Sequence, residues 1–499
     1  FALSEIFVIS EVDSTVSAKH YGAANYYDML GRYADGSYRA LLGEISRSPM
    51  MGQYLSSLKN QKAKVDAGGN VLTSPDENYA REVMQLFSIG LVKLNADGSV
   101  NLGNAGTPTN TYTNTDITEL ARVFTGWSFS KSHGSKASGY PVQDNTSFTA
   151  GSGPAYFQAS WLNPMKNFGA TYHDTGAKTV LGVTIPAGLS GDADMDAALD
   201  ILANHANTPT FISRLLIQRL VTSSPSAGYV YRVGKAFEND GTGQRGNLKA
   251  VVKAILLDPE ARNPSIALDV GHGKQKEPII RYVQLLRAFG AASKLPLSDL
   301  SAYGYPAGQL DNFPAGVTRY RYGNTDTNLA QTPLRSPTVF NWFLPRYSPG
   351  GAIAAAGLTA PEMQLTTETQ VIQAINYGRS FTESDTGVGV SALVGATDST
   401  LDDVKIDRVP FFNRYKAVIA AGGTIRDAVT ATLDDADLLL TGGRLKERYV
   451  SAPTPNPRSI IIDTVTATSG TNTNDTAIGD RHKALLYLLA SSPTSIHQP

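Results

Sequence analysis

The sequence has no cysteine among its 499 residues, which excludes a disulfide scaffold, thiolate metal sites and cysteine nucleophiles. Charge is also scarce: Asp, Glu, Lys and Arg make up 17%, against roughly 25% in an average soluble domain. The 43 basic and 44 acidic side chains leave a net charge of −1 with no Lys/Arg block, so the electrostatic footprint of a nucleic-acid binder is missing. No apolar run reaches the ~18 residues of a membrane-spanning helix. Phe1 to Val12 reads as the interior of a packed helix, and the expectation is that the natural chain begins upstream. The lack of a signal peptide therefore carries no information.

What is present is punctuation and helical periodicity. Gly 46 and Pro 26 divide the chain into short segments. Ser48 and Pro49 give a helix cap and a first-turn proline, and Ser74, Pro75 and Glu77 form a capping-box pattern. Thr208 and Pro209 open a helix through Val221, and Asn247 precedes an apolar stripe of Leu248, Val251, Val252, Ile255 and Leu256 that Asp258 and Pro259 stop. Further helices are expected from Glu277 through Phe289, from Pro361 through Ile375 and from Arg481 to Ala490. Ser128 to Gly191 is rich in Gly, Ser and Thr, with strand-and-turn character at Thr179 to Ile185. Leu295 to Gly357 is loop-like and carries Tyr303, Tyr305, Phe313, Tyr320, Tyr322, Phe340, Trp342, Phe343 and Tyr347. The expected fold is mainly α, a multi-helix body with a Gly/Ser-rich insertion containing short strands and a long aromatic loop region. Its parts are residues 1–127, 128–191, 192–294, 295–360 and 361–499, all in one domain body.

Several segments together are recognisable: PDENYAREVMQLFSIGL at Pro75 to Leu91, FTGW at Phe124 to Trp127, YHDTGAKTVLGV at Tyr172 to Val183, FISRLLIQRLVTSSP at Phe211 to Pro225, GNLKAVVKAILLDPEAR at Gly246 to Arg262 and SPTVFNWFLPRY at Ser336 to Tyr347. Together they resemble the bacterial domain-of-unknown-function family eighteen-hundred over essentially the whole chain. That resemblance implies a mostly helical, usually exported protein, often encoded beside a sulfatase-like secreted protein. It implies no settled activity.

Asn78, Arg81, Glu82 and Gln85 recur at i, i+3, i+4 and i+7, a narrow polar stripe on an otherwise apolar helix. Such a stripe either forms a buried polar network or lines a cleft. Glu77 with Arg81 and Glu277 with Arg281 are i, i+4 pairs, and Arg214, Gln218 and Arg219 make a similar polar set. His173, with Asp174 and Lys178 nearby, is a candidate general base or, alternatively, a brace for the loop leading into the strands. Two motif matches fail on context. Gly241 to Gly246 fits G-x-G-x-x-G but follows a helix, and Asp192, Asp194 and Asp196 lack the glycine and terminal carboxylate of a calcium loop.

Two functions follow as expectations. The first is a secreted, periplasmic or cell-surface, non-catalytic binding or assembly protein. It would engage a protein partner, itself or a polysaccharide through aromatic loops, because tyrosine and tryptophan offer an apolar face with a polar tip. The alternative is an extracellular hydrolase acting on polysaccharide or sulfated sugar in concert with a sulfatase-like partner. Its catalytic candidates are Glu82, His173 and Asp174; Asn78, Arg81, Gln85, Arg214, Arg219, Trp127 and Trp342 are the ligand-binding candidates. No metal ligands, cofactor or nucleic-acid partner are expected.

Overall fold

A computed structural model of the chain describes residues 1–133, 142–149, 159–266, 269, 271–293, 329–383 and 404–498. The fold is mainly α with a few short strands. Contacts group the chain into two compact units, Phe1–Lys274 with Pro333–Pro361, and Gln275–Thr332 with Glu362–Gln498. Among the described residues no helix is long and apolar enough to cross a membrane.

The first unit begins with a departure from expectation. Phe1 to Val12 forms turns and irregular chain instead of a helix, although Ile6, Phe7, Val8 and Ile9 are buried. Tertiary partners take its backbone groups: Tyr26 Oη donates to Phe7 O at 2.9 Å, and Glu11 N–H donates to Leu334 O at 2.8 Å. A buried backbone satisfied in this way has no need of a helix ladder. Helices follow at His20–Arg32, Tyr38–Arg47, Pro49–Tyr54, Asn78–Gln85, Asn114–Val123, Gly191–Asn204, Asn207–Leu220, Ala227–Glu238 and Leu248–Leu257. Asn247 caps the last of these by accepting the Ala250 N–H, and Asp258 ends it while capping Pro259–Arg262. The G-x-G-x-x-G segment is the loop between the last two helices.

The expected capping box at Ser74 is not used. Asn60 clasps Asp76, accepting its N–H at 2.9 Å and donating to its carbonyl at 3.1 Å. This holds the segment out of helical conformation, so the helix starts at Asn78, where Asp76 Oδ1 accepts its N–H. Glu77 turns instead to Thr118 and Arg81.

Short antiparallel pairs mark the insertion: Trp127–Ser128 with Lys166–Asn167, Lys131–His133 with Val142–Asp144, and Lys178–Val180 with Val183–Ile185. The last is a two-residue hairpin whose Leu181 and Gly182 have φ of 51° and 78°, the left-handed pair that such a turn requires. The core of this unit gathers Phe7, Tyr26, Tyr38, Tyr79, Phe87, Phe124 and Trp127, each 1% exposed or less. Burial of apolar side chains of this size is worth roughly 1.5–3 kcal/mol each.

The second unit contains Pro278–Ala288, Glu368–Glu383, Val409–Ala420, Ile425–Thr441, Arg444–Tyr449, Pro457–Ala467, Asp475–Ala490 and Pro493–Ile496. Thr424 and Asp427 form a reciprocal capping box at the start of Ile425–Thr441, and Gly442 closes that helix in a left-handed cap. Pro361 opens only a 3-10 turn through Leu365; the α-helix restarts at Glu368, where Thr367 Oγ1 accepts the Gln370 N–H.

Candidate functional site

The Asn78–Gln85 helix buries Tyr79, Ala80, Val83 and Met84 and leaves its polar stripe in mixed surroundings. Asn78 is exposed. The Arg81 side chain is 42% exposed and pairs with Glu77 at 3.4 Å. Glu82 is only 6% exposed, and its Oε2 has no hydrogen-bond partner. Burial lifts its carboxyl above the ordinary range, against the opposing charge of Arg81. Two tyrosines sense it. The Tyr54 hydroxyl is pushed up to about 12 by burial and by the Asp13 and Glu82 carboxylates. Tyr112, raised by burial and then by Glu82, donates to Gln85 Oε1 at 2.9 Å. The hydrogen-bonded Gln85 and Tyr112 thus lie near a buried Glu82 carboxyl whose charge also reaches Tyr54.

His173 belongs to a different group. It is 1% exposed, with Nδ1 2.9 Å from Thr125 O and Nε2 3.0 Å from Asp194 Oδ2. Lys178 Nζ reaches the same Asp194 oxygen at 2.5 Å and donates to the carbonyls of Asp174 and Gly176 at 2.6 and 2.9 Å. Asp194 Oδ1 is buried without a partner. Asp174 lies just outside this core. Arg122 grips it through Nε and Nη2 at 2.9 and 3.0 Å and holds Glu119 through Nη1. Burial opposes ionisation of Asp174, but Arg122 outweighs it and keeps the carboxyl below the usual range. The backbone accounts for the FTGW segment: Gly126 has φ 81°, and a Cβ there would sit 2.8 Å from His173 Cβ. His173 and Lys178 are therefore braced within the protein, and no hydrogen bond or ion pair among the described residues joins Glu82 to them.

The remaining ligand-binding candidates are spread over the first unit. Arg219 donates to the carbonyls of Leu215 and Glu5 and lies 3.6 Å from the Glu5 carboxylate. Arg214 is lowered by burial and by the charge of Arg346, and its Nε is buried without a partner. Trp127 is 1% exposed beneath Arg47, and Trp342 is 9% exposed and stacks on Phe1. Neither indole presents a face to solvent, so both act as packing residues. Tyr26 and Tyr38 are likewise buried, whereas Tyr21 is exposed. Tyr303, Tyr305, Phe313, Tyr320 and Tyr322 lie outside the described residues. The i, i+4 pair expected of Glu277 and Arg281 does not form; Glu277 accepts from Gln331 instead.

Asp194 is the residue that sequence reasoning missed. Read as a helix-start acid, it is indeed in the first turn of Gly191–Asn204, but its carboxylate joins His173 to Lys178. Arg122 was missed as well, since nothing local ties it to Asp174. Among the described residues no group of three or more His, Asp or Glu could hold a metal ion. No curated protein and no solved structure matches the chain. The model of the family described as "Protein of unknown function (DUF1800)" matches residues 1–495, the span that holds both polar groups, and the chain belongs to that family.

Proposed function

We propose that this chain is an exported, non-catalytic binding or surface-assembly protein that engages a protein partner through the loop around Phe340. The observation that carries this reading is the division of that loop into two faces. Trp342 and Phe343 point inward at 9% and 4% exposure, while Phe340 and Leu344 stand out at 43% and 47%. Inward aromatics anchor an irregular loop, and an outward phenylalanine beside a leucine offers the apolar centre that protein interfaces use. His173 and Lys178, spent on Asp194 and backbone carbonyls, support the non-catalytic part. The low charge of the chain and its family resemblance support export. Affinity capture from the source cell envelope, with wild type and with a Phe340→Asp, Leu344→Asp double variant as baits, tests it. A partner or second copy held by wild type and lost from the variant is expected; equal capture by both, or none by either, refutes the reading.

A second reading, an extracellular hydrolase of polysaccharide or sulfated sugar, is favoured by Glu82 alone. A buried carboxyl with an unpartnered oxygen and a raised pKa has the character of a general acid. If it serves as one, Glu82→Gln abolishes release of reducing ends from envelope polysaccharide while leaving the thermal midpoint within a few degrees. Equal release by wild type and variant removes this reading.

A further inference from the structure

The second unit holds a small cavity with a cation in its wall and no acid beside it. Residues of the Pro278–Ala288 and Glu368–Glu383 helices and of the turn after Asp475–Ala490 enclose about 40 Å³. Of the residues that line it only Arg281 is charged, and the wall is mostly apolar, with Leu285, Leu329, Ile375 and Leu440 among its members.

Arg281 faces this space without a counter-charge. Among the described residues its guanidinium makes no ion pair and no hydrogen bond, and burial lowers its pKa with no carboxylate to offset the loss. Glu277, one turn earlier, accepts from Gln331 instead. Other arginines of the unit are paired: Arg414 with Asp435, Arg426 with Asp463 and Arg458 with Asp434.

The remaining polar groups of the wall divide into used and unused. Gln284 Nε2 donates to Leu440 O at 2.8 Å, and the Ser495 hydroxyl donates to Ala490 O at 2.6 Å. The Ser491 hydroxyl has no hydrogen bond among the described residues, so the cavity offers a guanidinium and a hydroxyl as donors. Behind the same wall Lys276 Nζ donates to Ser495 O at 3.1 Å, which adds a second positive charge.

A buried cation without a counter-charge costs stability that a bound anion restores. The arginine fork matches the two oxygens of a carboxylate. Sulfate or phosphate would press further oxygens against apolar side chains that cannot satisfy them, whereas a carboxylate is polar at one end only. At ~10–15 Å³ per water the cavity has room for roughly three waters, about the bulk of a carboxylate with a two-carbon tail.

We propose that this cavity binds a short aliphatic monocarboxylate, with its oxygens on the Arg281 guanidinium and its tail on the apolar wall. The site lies within the second unit and does not rest on the partner-docking reading. Gly378 offers a way to block it without touching Arg281. Ala374, Ile375, Tyr377 and Gly378 form the helix face toward the cavity, and no atom lies within 4 Å of where a Gly378 Cβ would stand. Gly378→Leu therefore adds a side chain there without displacing a neighbour.

The test is saturation-transfer NMR of the full chain with sodium propionate and with propionamide, which keeps the shape and lacks the charge. Propionate should show saturable transfer, and propionamide should bind at least tenfold more weakly. Arg281→Met and Gly378→Leu should each weaken propionate at least tenfold, while Arg426→Met, which removes a paired arginine in the same unit, should not. Sodium sulfate should displace propionate no better than sodium chloride at matched ionic strength. Absence of saturable transfer to propionate, equal binding of propionamide, displacement by sulfate, or unchanged binding by Gly378→Leu would each overturn the proposal.

Discussion

Asp194 carries two hydrogen-bonded cationic or potentially cationic groups on a single oxygen, His173 Nε2 and Lys178 Nζ, in a site from which water is excluded. Removing one member of such a cluster leaves buried charge uncompensated, which typically costs about 3–5 kcal/mol. Asp194→Asn is therefore expected to lower unfolding stability by about that amount in urea titration; a loss below ~1 kcal/mol would contradict a bracing role. His482, in the second unit, makes the opposite case. It is 2% exposed, both ring nitrogens lack partners, and its ring packs edge-on against Phe412 and Tyr415. Burial, reinforced by Arg408, holds it down to about 4. The unfolded chain takes up a proton near pH ~6.5 that the folded chain refuses. Stability is thus complete above that pH and falls as pH drops toward 4, by at most about 1.4 kcal/mol per pH unit. Unfolding measured at pH 7 and pH 5 should reveal this slope in wild type, and His482→Leu should reduce it.

At the scale of elements, the Lys178–Val180 and Val183–Ile185 hairpin positions Lys178 for Asp194, and its turn depends on a left-handed Gly182. Gly182→Ala places a Cβ in that conformation and should cost about 1 kcal/mol, read as a lower thermal midpoint. The hairpin was legible in the sequence, as were the helix start at Asn247 and its stop at Asp258. In each case the deciding hydrogen bond or turn spans only two or three residues. The Ser74 capping box failed because its competitor is Asn60, 16 residues from the Asp76 it clasps. Phe1 to Val12 failed for a related reason: its apolar pattern correctly marked burial, but Tyr26 and Leu334 take backbone groups of Phe7 and Glu11. The candidate site divides along the same line. The polar stripe on Asn78–Gln85 was readable from spacing, whereas Asp194, 21 residues from His173, was not.

For the molecule as a whole, balanced charge and a mainly helical fold leave the proposed binding to what the loops expose. The loop that turns Trp342 and Phe343 inward and Phe340 and Leu344 outward is the element on which the binding reading rests. Its most direct test is quantitative cross-linking of the chain in intact source-cell envelopes, wild type against the Phe340→Asp, Leu344→Asp variant, with folding of the variant checked by its thermal midpoint. A discrete cross-linked species, present with wild type and reduced at least tenfold in the folded variant, is the predicted result. A wild-type chain that cross-links to nothing, or a variant that cross-links as well as wild type, would contradict the account.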